Sequence, residues 1–225
     1  MVVLVNTPGN GVNSAQWSFF QGISGSGPTK PLQNALKGAG IPLLIINDMK
    51  DYIFFKPPDE VANIKAKLWN AKQAKVYFDW FISVKDDRVE YLLTSIDETL
   101  TGNHKIDIRR IGKKVTGFLK KPPFSGLEEG ELVITNRGLA LIADLSLLIS
   151  KLIIERHPQI IWKIVKRPKG DISYNLPSLF EFSLIGHIEP MRGSIAEAKA
   201  ILRGEKTDSI WLEIYKYAIN LVKKD

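Results

Sequence analysis

The sequence predicts an α+β fold, made mainly of antiparallel sheet with hairpins, a central buried helix and C-terminal amphipathic helices. Three stretches carry that expectation. From Leu139 through Ile154 nearly every residue is Leu, Ile or Ala, the pattern of a helix apolar almost all round. From Val76 to Ile96, Val76, Phe78, Trp80, Ile82 and Val84 alternate with Tyr77, Asp79, Phe81, Ser83 and Lys85, which is strand periodicity. Near the C-terminus, Ile210, Trp211, Ile214, Tyr217, Ala218, Leu221 and Val222 recur at helical spacing.

Taken in order, Val2 to Val5 reads as a strand, and the Pro/Gly/Asn segment after it as a loop. Gly9-x-Gly11 lacks the third glycine and the following helix of a dinucleotide fingerprint. Trp17, Phe19 and Phe20 form an aromatic patch expected in a core. The loop from Gly22 to Lys30 has the composition of a phosphate loop. However, Pro28 stands where that loop needs its lysine, and proline removes a backbone donor as well. Pro31 opens a short helix over Leu32 to Lys37, and Ile41 to Ile46 and Tyr52 to Phe55 read as strands about an Asn47-Asp48 turn. Asp59 is expected to cap a helix to about Lys72 that buries Val61, Ile64, Leu68 and Ala71 and turns Lys65, Lys67 and Lys72 outward.

A turn at Asp86-Asp87 would set Val84 opposite Val89, Ile82 opposite Tyr91 and Trp80 opposite Leu93, so Val76 to Ile96 is read as an antiparallel hairpin. A second hairpin is expected from Lys105 to Leu119, turning near Gly112-Lys113-Lys114. In the central helix, Asp144, Lys151 and Glu155 share one stripe and give it a wet edge; Pro158 should end it near Arg156 to His157. Strands follow at Ile160 to Val165 and Ser178 to Leu184. Ser194 with Glu197 has capping-box spacing for a helix ending on Gly204, and Asp208 or Ser209 can cap the last helix. The expected organisation is a single α+β domain over 1–225, with a hairpin-rich lobe at 1–121 and a helix-strand-strand-helix lobe at 131–225, divided at Pro122-Pro123 to Gly130.

The 225 residues contain no cysteine, which excludes disulfides, thiolate catalysis and cysteine-ligated metals and fits a reducing compartment. Too short an apolar run and no basic flank stand at the start for a signal peptide, and Asp144 and Lys151 interrupt a run already short of the roughly 20 apolar residues of a span. A cytoplasmic protein with no membrane contact is expected. The net charge of +7 is concentrated. Between Lys105 and Lys121 lie Lys105, Arg109, Arg110, Lys113, Lys114, Lys120 and Lys121 against Asp107 alone, a local excess of six. With Phe118 as a surface for stacking, these are the candidate residues for a partner or nucleic acid. A lysine-defended sheet edge is the competing account.

Catalytic motifs are missing. His104, His157 and His187 have no metal-type spacing, and Asp208 with Glu213-x-x-Lys216 is out of register for a metal-dependent nuclease. No cofactor and no metal are expected, and an active site would have to gather dispersed residues such as Asp79, Glu90 and His104.

The Leu139 to Glu155 helix, the strand bearing Trp162, the Tyr174-Asn175-Leu176-Pro177 lead into the next strand and the helix after Gly204 together resemble a helix-strand-strand-helix arrangement of uncharacterised bacterial cytosolic proteins. Some of those act as immunity-type partners of secreted toxins. That resemblance implies a non-enzymatic binding protein with a protein partner. Nucleic-acid binding through 105–121, with Lys163, Lys166, Arg167 and Lys169, is the second expectation, and an enzyme with a dispersed site the third.

Overall fold

The computed structural model describes residues 52–53 and 56–222. The elements expected at Val2 to Val5, Leu32 to Lys37 and Ile41 to Ile46, the aromatic patch at Trp17 to Phe20 and the glycine-rich loops lie outside them. In chain order the elements are α1 (Asp59–Ala62), a single 3-10 turn (Ala66–Leu68), α2 (Ala71–Ser95), α3 (His104–Leu119), β1 (Ser125–Glu128), β2 (Glu131–Ile134), α4 (Asn136–Arg156), β3 (Ile161–Ile164), β4 (Pro177–Phe180), β5 (His187–Ile188), α5 (Pro190–Leu202) and α6 (Ile210–Asn220). The class is α+β. Its sheets are small and antiparallel, β1-β2 and β3-β4-β5, and helices dominate.

The central helix forms where its apolar run predicts. Thr135 caps it by accepting from the Gly138 amide at 3.2 Å, and His157, just before Pro158, closes it. Fourteen of its residues from Gly138 to Ile153 are buried, because α2, α3, α5 and α6 all pack against it. Asp144 departs from the expected wet edge. It is fully buried, and its carboxylate accepts from Arg88 Nε at 2.5 Å and from the Tyr52 hydroxyl at 2.7 Å. Burial pushes the Asp144 carboxyl up from its ordinary value, against the opposing pull of Arg88 and the Tyr52 hydroxyl.

The two expected hairpins are helices, and the reason is local. Asn70 and Gln73 form a reciprocal capping box at the start of α2: the Gln73 amide donates to Asn70 Oδ1 at 2.9 Å, and the Asn70 amide to Gln73 Oε1 at 3.1 Å. From there Ala74, Tyr77, Phe81, Arg88 and Leu92 are buried at spacings of three, four and seven, one helical face. Of the alternating set, Phe78, Trp80, Ile82 and Val84 are only partly buried. β propensity reflects fit to a half-buried pleated surface and yields to such packing. In α3, Asn103 accepts from the Ile106 amide, and Ile108, Ile111, Val115 and Leu119 are buried at spacings of three and four. Gly112, expected as a turn, lies within this helix and lets Trp211 of α6 approach; a Cβ there would sit 2.6 Å from Trp211 Cδ1.

The helix expected from Asp59 to Lys72 stops at Ala62. Its cap is Pro58, Leu68 is 66% exposed and Ala71 is exposed. Tyr52 and Ile53 are in no strand. β3 and β4 pair antiparallel with Trp162 opposite Leu179, and Trp162 packs edge-on against Phe81. α5 begins at Pro190, ahead of the expected Ser194 cap, with the Glu189 carboxylate accepting from the Met191 and Arg192 amides. It ends before Gly204, whose φ is +76°. α6 starts at Ile210 as expected. One hydrophobic cluster runs from Tyr52 through α2, α3 and α4 to Val222.

Candidate functional site

The charge of the 105–121 segment is arranged by helix geometry, not by strand alternation. On α3, residues four apart lie on one stripe, so Lys105, Arg109 and Lys113 form one row and Arg110 and Lys114 another. The second row faces the α2–α3 connection. Arg110 is ion-paired to Glu98 and donates to the Thr99 carbonyl; Lys114 reaches Glu98 Oε1 at 2.7 Å and the Ile96 and Asp97 carbonyls at 3.1 and 3.2 Å. Asp107, fully buried, accepts from the Thr101 amide and hydroxyl at 3.0 and 2.8 Å. Arg110 and Lys114 therefore fasten a loop.

The first row borders a cleft between α3 and α6 of about 600 Å³, lined by Ile106, Arg109, Arg110, Lys113, Asp208, Ser209, Leu212, Glu213 and Lys216. The depth of this cleft follows from the helix contact beside it. Trp211 lies against Gly112 and donates from Nε1 to Thr116 Oγ1 at 2.8 Å, fixing how α3 and α6 cross. Leu212 closes the floor and Ile106, half exposed, stands at the rim. On α6, Ser209, Glu213 and Lys216 share a stripe, and the Ser209 hydroxyl donates to Glu213 at 3.2 Å. Among the described residues, Arg109, Lys113 and Lys216 have no ion-pair partner within 4 Å, and all three are exposed.

The structure thus divides the eight candidate residues. Arg109, Arg110 and Lys113 gather at the cleft, with Lys105 one turn before Arg109. Lys114 is committed to Glu98. Phe118 lies with its ring 6.1 Å from that of Phe124 and is half-buried, and it is not among the residues lining the cleft. Lys120 and Lys121 are exposed past the end of α3, away from the cleft. Reading the sequence missed Lys216, Asp208 and Glu213 as partners of this surface. Their helical register was legible, but which face of α3 they meet depends on a contact between residues about a hundred positions apart.

The dispersed catalytic set does not assemble as a unit. Asp79 is exposed and paired with Lys75, and Glu90 lies eleven residues further along α2, roughly 16 Å up its axis. His104 joins other groups: its Nδ1 is 3.1 Å from the Tyr215 hydroxyl and its Nε2 3.4 Å from Glu155. Among the described residues, no three acidic or histidine side chains gather in a metal-binding arrangement, and no helix is long and apolar enough to cross a membrane. The chain matches no protein-family model, no curated protein sequence and no solved structure.

Proposed function

We propose that this is a non-enzymatic cytoplasmic binding protein whose cleft between α3 and α6 takes an acidic segment of a protein partner. The observation that carries the reading is the trio Arg109, Lys113 and Lys216, exposed and without acidic partners among the described residues, beside the apolar Ile106 and Leu212. A surface that mixes unpaired cations with apolar side chains complements a peptide carrying both carboxylates and aliphatic groups. Toxin neutralisation, which the likeness of the C-terminal half implies, is one form such binding takes.

Nucleic acid fits the same cleft less well. Asp208 and Glu213 stand in its wall and oppose phosphates and carboxylates alike. A protein segment has the advantage that basic side chains within it can pair with them and aliphatic ones can meet Ile106 and Leu212, which a phosphate backbone cannot do. The exposed row Lys105, Arg109 and Lys113 still favours a second reading in which a phosphate backbone lies along α3. Binding of a labelled oligoglutamate peptide and of a labelled single-stranded oligonucleotide, each followed by fluorescence anisotropy against salt, separates the two. The peptide is expected to bind the more tightly, and Arg109→Glu with Lys113→Glu to weaken it by about tenfold or more, because exposed ion pairs are worth up to about 1 kcal/mol each and reversal adds repulsion. Tighter oligonucleotide binding lost on the same reversal would replace this reading with the second.

A further inference from the structure

The β1–β2 hairpin carries what the cleft lacks. Its tip holds Glu128, Glu129 and Glu131, all exposed and without an ion-pair partner within 4 Å among the described residues, although Glu131 lies near enough to Arg203 for its charge to be felt there. Glu128 pairs directly across from Glu131, an arrangement of like charges that weakens a two-stranded ribbon. The turn residues Glu129 and Gly130 have φ of +51° and +87°, the left-handed pair of a tight hairpin turn, where Asn is the favoured first residue and Glu is strained. Leu127 and Leu132, also directly opposite, are 73% and 46% exposed. Both the turn strain and the facing carboxylates cost stability within one molecule, and a cationic surface meeting the tip offsets the second of them.

Resting on the acidic-segment reading of the cleft, we infer that the hairpin tip of one copy docks into the α3–α6 cleft of a second copy, so that the chain associates head to tail. The tip carboxylates meet Arg109, Lys113 and Lys216, which outnumber Asp208 and Glu213 in the same lining, and the exposed leucine pair meets Ile106 at the rim and the exposed Tyr217 one turn along from Glu213. The hairpin is fastened at its base, apart from its own cleft. Thr135 pins the hairpin base, donating from Oγ1 to the Pro123 carbonyl at 2.6 Å and from its amide to the Phe124 carbonyl at 3.0 Å, and β2 rests on α5. That base follows the C-terminal end of α3, whereas the cleft borders the helix from Ile106 to Lys113. Because tip and cleft are different surfaces, the contact is heterologous and propagates into a ring or a chain of copies.

Sedimentation of the full chain over a range of concentrations tests this. The wild-type mass is expected to rise with concentration at low salt and to fall back toward the monomer at high salt. A tip variant (Glu128→Gln, Glu129→Asn, Glu131→Gln) and a cleft variant (Arg109→Ala, Lys113→Ala, Lys216→Ala) are each expected to stay monomeric alone. Mixed, they retain one intact tip and one intact cleft and form a 1:1 dimer that grows no further. Wild-type protein that stays monomeric at every concentration, or association that either variant set leaves unchanged, overturns the inference. Oligoglutamate binding that persists in a strictly monomeric wild type removes head-to-tail docking and leaves the cleft reading standing; loss of both removes the two together.

Discussion

At the scale of single residues, two positions carry stresses that can be measured. Gly112 is a point of close approach between α3 and α6, and a methyl group there meets Trp211 Cδ1, Cγ and Cβ at 2.6, 3.0 and 3.1 Å. Its indole is held by Thr116, so it has little room to yield. Overpacking of this kind costs about 1–3 kcal/mol, more than the up to about 1 kcal/mol that alanine gains over glycine in a helix. Gly112→Ala is therefore expected to lower the denaturation midpoint at unchanged slope in urea, and to open the cleft by displacing α6. Glu189 carries the second stress. Burial pushes its carboxyl up to about 7 even though it accepts from the Met191 and Arg192 amides. Because the folded state keeps this proton after the unfolded chain has released it near 4.5, folding takes up a proton between those values, and stability falls as pH rises from about 4.5 to 7. The loss is up to about 3 kcal/mol. Glu189→Gln, which keeps an acceptor for the helix start, should flatten that part of a stability-against-pH curve measured by denaturant titration.

Elements are joined by long-range contacts that the sequence shows only in part. α2 is held to α4 by Arg88 and Asp144, both 1% or less exposed, with Tyr52 completing the carboxylate's partners. Removing one member leaves the other as a buried charge, so Arg88→Ala is expected to cost about 3–5 kcal/mol by chemical denaturation. Arg88→Met combined with Asp144→Asn should recover most of that loss, since the asparagine still accepts from Tyr52 and no charge stays buried. A double variant no more stable than Arg88→Ala would mean that the pair does more than neutralise itself. The C-terminal elements were legible because each carries a local stop: Pro158 after α4 and Gly204 after α5. α2 and α3 were misread because aromatic and β-branched residues alternate over their surfaces, while the deciding signals were the Asn70 and Asn103 caps and a buried face at helical spacing. The same misreading turned Gly112 from a packing site into a turn.

Across the whole molecule, the charge excess of 105–121 was visible in the sequence, but its division was not. Glu98, outside that segment, ion-pairs with both Arg110 and Lys114, and α6 supplies Lys216 along with Asp208 and Glu213. Seven basic residues close in sequence thus become one loop clamp, one cleft wall and two outlying lysines. If the cleft wall is the binding surface, charge reversal should act by position and not by count. The most direct measurement is the affinity for an oligoglutamate peptide of two variants with equal net charge, Arg109→Glu with Lys113→Glu and Lys120→Glu with Lys121→Glu. The first is expected to bind about tenfold or more weakly than wild type and the second within about twofold of it, since charges beyond a Debye length are largely screened at physiological salt. Equal losses in the two variants would mean that the protein attracts acidic ligands through its overall charge, and would contradict a defined site between α3 and α6.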